Sequence, residues 1–216
     1  GALKELVIKN GLDIGFAFDG DADRCIAVDG GGRVLTGDEI LYICARYLKS
    51  RGELAGDKIV CTVMSNGGLI KSLKTAGINC EICGVGDKYV GETMQRTGAA
   101  LGGERSGHIV FSKYETTGDG ILTAVMLMEA YAKLGGLLKG YKAFAQVCES
   151  VPVIDRESAM SGLAEVAAEL EKELSVRIVV RPSGTERVIR VMAEGESDEN
   201  CSLACKILVT KIANKN

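Results

Sequence analysis

Three carboxylates, Asp19, Asp21 and Asp23, alternate with Gly20 and Ala22 and are followed at once by Arg24. At spacings of i, i+2 and i+4 they can converge on one side of an extended or curved loop. The small residues between them leave room for the backbone to wrap round an ion. Hard oxygen donors of this kind suit Mg2+. Without a cation, charges this close oppose one another's ionisation. An EF-hand is excluded, because Arg24 and Gly30 stand where that loop needs Gly and Glu. Two other readings stay open on these residues alone: a phosphatase loop of the D-x-D-x-[TV] form with Asp19 as nucleophile, and a solvated acidic turn.

Two further clusters have chemistry of their own. Gly102-Gly103-Glu104-Arg105-Ser106-Gly107-His108 puts an acceptor, a hydroxyl and the chain's one histidine in a glycine-rich turn before an apolar run. Glu104 and Ser106 suit a pair of neighbouring sugar hydroxyls, whereas His108 by itself reads equally as a structural histidine. Farther on, Arg181-Pro182-Ser183-Gly184-Thr185-Glu186 lies between two strand-like runs. Its planar guanidinium, two hydroxyls and open glycine backbone form an anion nest, although such a hexapeptide alone is also an ordinary turn. Neither a G-x4-G-K-[ST] nor a G-x-G-x-x-G pattern is present, so ATP and NAD readings lack support.

Taken in order, these motifs resemble those of the α-D-phosphohexomutases, a superfamily that includes phosphoglucomutases, phosphomannomutases and phosphoglucosamine mutases. Phe18 to Arg24 is similar to the superfamily's metal loop, Gly103 to His108 to its sugar-recognition turn, and Arg181 to Glu186 to its phosphate loop. The resemblance implies Mg2+ on Asp19, Asp21 and Asp23, with Arg24 beside the transferring phosphoryl group. It implies sugar contacts from Glu104, Ser106 and His108, and a phosphate cradle of Arg181, Ser183, Gly184 and Thr185, with Arg190 on the following strand. Gly86-Asp87-Lys88-Tyr89-Val90 matches another segment, so Lys88 reaches the phosphosugar or is a solvated lysine. Arg105 and Arg187 depart from the usual Gln and Pro. The segments 62–68 and 114–120 favour the amino-sugar branch. The implied reaction is interconversion of glucosamine 6-phosphate and glucosamine 1-phosphate through an enzyme phosphoserine and a bisphosphate. Glucose and mannose phosphates, and a non-catalytic phosphosugar-binding module, are the alternatives. The superfamily's serine loop has no counterpart in these residues.

The elements that must position these groups alternate. Apolar runs at Ile14–Phe18 and Cys25–Val28 read as strands, with a tight Gly30-Gly31-Gly32 turn beyond. Helical spacing spans Glu39–Leu48, with Asp38 as a plausible N-cap. Lys58–Met64, Asn79–Cys83 and His108–Phe111 read as strands; Leu69–Thr75, Tyr89–Arg96 and Asp119–Leu134 read as helices. A segment of strand, helix, strand, strand, helix follows: a helix over Ser158–Leu174, strands over Val176–Val180 and Val188–Glu194, and a last helix over Asp198–Ile212. The fold class is α/β. The resemblance divides it into the truncated end of one α/β domain (1–38), a complete three-layer α/β mixed-sheet domain (39–149) and a small α+β C-terminal domain (150–216).

Bulk properties narrow the partners. In these 216 residues, 26 Lys and Arg against 29 Asp and Glu give a formal net charge of −3. No basic field exists to attract nucleic acid or an anionic membrane, so an anionic ligand must be held by individually placed cations. The longest apolar stretches, such as Ile121–Met128, fall well short of a membrane span. The opening Gly-Ala-Leu-Lys-Glu-Leu-Val lacks a signal core and reads as the interior of a helix, making a longer parent chain the expectation. Eight cysteines include a single C-x2-C at Cys80 and Cys83 with no partner pair at zinc spacing. Cys25, Cys44, Cys61 and Cys148 fall in apolar runs, which predicts buried, reduced thiols and a cytoplasmic setting. Monomer and homodimer both stay open.

Overall fold

The computed structural model describes residues 1–135, 138–184 and 186–215. They form two compact units, Gly1–Lys142 and Ala143–Asn216.

The first unit opens with helix α1 (Ala2–Asn10) and an antiparallel sheet of β1 (Ile14–Phe18), β2 (Cys25–Asp29) and β3 (Val34–Leu35). Helix α2 (Gly37–Ser50) follows. The expected N-cap, Asp38, is not the cap. Thr36 takes that place through a capping box, its hydroxyl accepting from the Glu39 amide while the Glu39 carboxylate accepts from the Thr36 amide at 2.7 Å. Asp38 is instead buried and accepts the Asn66 N–H at 2.9 Å. Tertiary packing thus claims the nearer carboxylate, and the helix starts two residues earlier, capped by a threonine.

A four-stranded mixed sheet forms the centre of this unit, in the order β5 (Asn79–Cys83), β4 (Lys58–Thr62), β6 (Leu101–Gly103), β7 (Ile109–Phe111). β4 runs parallel to β5 and β6, and β7 is antiparallel to β6. Alternate β4 side chains point to opposite faces. Ile59 and Cys61 join a core with α2, α3 (Gly67–Thr75) and α5 (Gly120–Leu134), while Val60 packs with Val90 and Met94 of α4 (Asp87–Thr97). Helices on both faces make the three layers, and burial on both faces explains why β4 reads as a continuous apolar run. β6, with two glycines in three residues, carried no strand signal in the sequence and is held by its neighbours. Residues 1–38 do not stand apart: α5 packs on β1 and β2, inside the same unit.

The second unit is an antiparallel sheet, β8 (Ala145–Pro152), β10 (Val188–Gly195) and β9 (Val176–Pro182), with α6 (Arg156–Met160), α7 (Leu163–Leu174) and α8 (Asp198–Ala213) supplying its core partners. Two expectations shift here. β8 pairs with β10 over its full length, from Ala145 opposite Gly195, so this unit begins about seven residues before the expected boundary at 150. The single helix expected over Ser158–Leu174 is two, broken where Gly162 takes φ 63°, a conformation glycine adopts without penalty.

Cys25, Cys44, Cys61, Cys201 and Cys205 are buried, but Cys148 is exposed on β8, contrary to the expectation from its apolar neighbours. No described helix is long and apolar enough to cross a membrane.

Replacing Thr36 with Ala is expected to lower stability by about 1–2 kcal/mol, seen as a shift in the urea midpoint at unchanged slope. Burial pushes the Cys25 thiol up to about 11 and the Cys44 thiol to about 12. Because alkylation consumes the thiolate, iodoacetamide at pH 8 is expected to label Cys148 first and to leave Cys25 and Cys44 unmodified until the chain is denatured, as read by peptide mass mapping.

Candidate functional site

Asp19 to Arg24 connect β1 to β2, whose last ladder pair is Phe18 with Cys25. The turn is made by Ala22 at φ 59°, a left-handed conformation unusual for a side-chain-bearing residue. Its N–H donates to the Asp19 carbonyl at 3.2 Å, and its own carbonyl accepts the Gly120 N–H at 2.9 Å. A strained residue held from both sides marks a loop whose shape matters more than its local energy. The outcome is convergence: one carboxylate oxygen each from Asp19, Asp21 and Asp23 lie within 4.8 Å of one another.

The charges in this loop are only partly offset. Arg24 Nε lies 3.6 Å from Asp19 and 3.8 Å from Asp23, and the Arg24 amide donates to Asp19 Oδ1 at 3.2 Å. One cation faces three anions. Asp23 Oδ1 is buried and has no hydrogen-bond partner among the described residues. A buried carboxylate oxygen without a hydrogen bond, beside two more carboxylates, is the donor arrangement a hard divalent cation would satisfy, so these residues fit Mg2+.

His108 is buried against this loop. It is 3% exposed. Its Nε2 accepts the Gly118 N–H at 3.1 Å, and its Nδ1 is 3.0 Å from Asp23 Oδ2. A backbone amide can only donate, so Nε2 is the acceptor nitrogen and Nδ1 carries the hydrogen given to Asp23. Both ring nitrogens have partners within the chain, so the sugar contact expected of His108 would have to share one of them. Gly118 was the residue that sequence reasoning missed. The segment 114–120 favours the amino-sugar branch, but nothing in its spacing points to the histidine.

The turn before His108 is stitched to the acidic loop along the backbone. Arg24 and His108 form an antiparallel bridge, and the Cys25 N–H donates to the Gly107 carbonyl at 3.1 Å. Gly107 has φ 97°, and the Cys25 carbonyl occupies the space a Cβ would need, so the position requires glycine. Glu104, half-buried, accepts the Gly86 N–H at 3.0 Å, which places its carboxylate at the start of α4, where the helix dipole favours an anion. Lys88, in the first turn of that helix, is 76% exposed with Glu92 at 3.9 Å. Ser106 is exposed. The first unit therefore joins the loop carrying Asp19, Asp21, Asp23 and Arg24 to the turn carrying Glu104, Ser106 and His108, with Lys88 on the helix whose start Glu104 meets.

In the second unit, Arg181 on β9 stands directly opposite Arg190 on β10. Like charges so placed destabilise a ladder unless neutralised. Arg190 donates to Glu186 at 2.8 Å, whereas Arg181 Nε is buried without a hydrogen-bond partner among the described residues. Ser183 is 3% exposed, its N–H donating to the Val188 carbonyl at 2.9 Å and its hydroxyl accepting the Glu186 N–H at 3.3 Å. Gly184 is exposed, with no atoms within 4 Å of where a Cβ would stand. The expected ligand Thr185 lies outside the described residues. An anion between the two arginines would satisfy both the repulsion and the orphaned Nε.

Comparison with known proteins agrees with this anatomy. The chain matches the model for phosphoglucomutase/phosphomannomutase, alpha/beta/alpha domain III, over residues 36–151, and the model for the C-terminal domain of the same family over 144–203. Phosphoglucosamine mutase of Lachnoclostridium phytofermentans is 47% identical over 99% of this chain and 49% of that protein. The Bacillus licheniformis phosphoglucosamine mutase is 48% identical over 93% of this chain and 46% of its own length. The chain thus spans about half the length of the curated relatives it matches. Among solved structures, Aspergillus fumigatus N-acetylphosphoglucosamine mutase, in complex with GlcNAc-6P and magnesium, superposes with a TM-score of 0.78 at 23% identity, over 91% of this chain and 51% of that one. A phosphoglucomutase/phosphomannomutase family protein of Burkholderia thailandensis gives 0.75 at 21%, over 99% of this chain and 49% of that one. These structures share the fold. The chain belongs to the phosphoglucomutase/phosphomannomutase family, of which it carries the third α/β/α domain and the C-terminal domain.

Proposed function

We propose that this chain is the sugar-reading and phosphate-holding part of a phosphoglucosamine mutase, a cytoplasmic enzyme interconverting glucosamine 6-phosphate and glucosamine 1-phosphate. The observation that carries the reading is the joining of the three-aspartate loop to the Glu104–Ser106 turn, supported by relatives of that name at 47–48% identity.

Asp19, Asp21 and Asp23 would hold Mg2+, which when bound offsets the negative charge of a phosphoryl group in transfer. Arg24, already leaning over the loop, adds a second positive charge on the same side. Glu104 is fixed at its Oε1 by the Gly86 amide and keeps Oε2 to accept from a ring hydroxyl. Ser106, exposed two residues on, offers a hydroxyl to the neighbouring position. Lys88 approaches the anionic end of the sugar from α4. In the second unit, Arg181 and Arg190 clamp a phosphate between them, with Ser183, Gly184 and Thr185 supplying the loop around it. Domain limits of 1–38, 39–149 and 150–216 follow the superfamily's division. The transfer itself needs a phosphorylated serine, and no serine here sits in a comparable loop. These 216 residues alone are therefore read as binding phosphosugar weakly without turning it over.

In the full-length protein, Arg181→Ala removes a charge-assisted contact of about 1.5–3 kcal/mol. It is expected to weaken phosphosugar binding roughly tenfold to hundredfold by calorimetry, while leaving Mg2+ binding unchanged. The substrate assignment is tested by comparing kcat/KM for glucosamine 6-phosphate, glucose 6-phosphate and mannose 6-phosphate in the full-length enzyme; a preference for either neutral sugar would overturn it.

A further inference from the structure

We propose that His108 is a positioning residue for Asp23, held in place by Gly118, and that this pair sets how tightly the acidic loop binds its cation. The inference rests on the metal-binding reading above and adds a role to a residue that reading had assigned to the sugar.

The two oxygens of Asp23 have different surroundings. Oδ2 accepts the His108 Nδ1–H at 3.0 Å; Oδ1 is buried, with no hydrogen-bond partner among the described residues and Arg24 Nε at 3.8 Å. A carboxylate tied at one oxygen by a ring N–H cannot rotate freely, so its other oxygen is held in one direction. Partners behind a metal ligand commonly orient it and tune its basicity. The familiar case is a carboxylate orienting a ligating histidine, and here a histidine orients a ligating carboxylate.

The ring is itself fixed. Gly118 N–H holds Nε2 at 3.1 Å, and a Cβ on residue 118 would come within 2.5–2.7 Å of three ring atoms, Cε1, Nδ1 and Nε2. Any larger residue there must push the imidazole away. Two residues on, the Gly120 N–H holds the Ala22 carbonyl at 2.9 Å, in the acidic loop. One short segment therefore fixes both the loop backbone and the side chain that aims Asp23. A buried imidazole needs hydrogen bonds in any role; what is particular here is that one of its partners is a carboxylate of the acidic loop.

The test is a Mn2+ titration of the purified 216-residue chain, followed by electron paramagnetic resonance, with circular dichroism to confirm folding. His108→Leu is expected to raise the Mn2+ Kd by about tenfold to hundredfold, and Gly118→Ala to raise it in the same direction with the histidine intact. His108→Asn, which can keep a donor towards Asp23, is expected to lose less. In an Asp23→Asn background, His108→Leu should change the Kd no further, because the route of its effect is already gone. An unchanged Kd in folded His108→Leu, or equal losses with and without Asp23, would overturn the positioning role while leaving the metal site intact. A wild-type chain that binds no Mn2+ would overturn the metal reading and this inference together. Should His108→Leu fail to fold, Gly118→Ala and His108→Asn decide the matter by the same titration.

Discussion

Like charges do not gather without cause, and the rest of the first unit is arranged round that fact. Three carboxylates with donor oxygens inside 4.8 Å repel one another, and one arginine cannot neutralise them. Left to itself, a loop of this composition would splay into solvent. It is restrained instead by an alanine in a left-handed conformation, by an amide at the start of α5 and by a buried imidazole. Each restraint comes from a different element. The mixed sheet and its helices can thus be seen as the frame that brings β7, the 104–108 turn and the head of α5 against one acidic hairpin loop.

The second unit solves the opposite electrostatic problem with the same logic. Arg181 and Arg190 face each other across a ladder, a like-charge pairing that disfavours it, and only Arg190 has a described carboxylate partner. In both units, then, unbalanced charge of one sign is held by backbone packing in a form that a counter-charged ligand would relieve. The signs are complementary to a divalent cation and to a phosphate, a local pattern that the net charge of −3 does not reveal.

Most of the architecture was legible because it is periodic. β4 reads as a buried strand since both its faces are covered, and α2 shows its apolar stripe at Ile40, Leu41, Ile43, Cys44 and Tyr47. Errors fell where local signals compete. Asp38 and Thr36 are both good caps by chemistry, and a tertiary partner at Asn66 decided between them. Gly162 gave a break that helical spacing on either side concealed. Cys148 follows Val147, but Glu149 and Ser150 come next, and on the edge strand β8 it faces solvent.

By itself, the sequence determined which chemical groups were available: three hard oxygen donors at alternate positions, a hydroxyl and a carboxylate in a glycine turn, an arginine at the head of a loop. Residue type and short-range spacing are enough for that, because donor chemistry does not depend on the fold. Only the tertiary structure decided what each group is turned towards. His108 meets Asp23 across 85 residues and Gly118 across 10, and Glu104 reaches Gly86 across 18. Such contacts exist only after packing has closed the intervening chain, since a hydrogen bond needs its partners within about 3 Å and correctly aimed. That is why the sequence shows a histidine in a glycine turn, and only the fold shows it between Asp23 and Gly118.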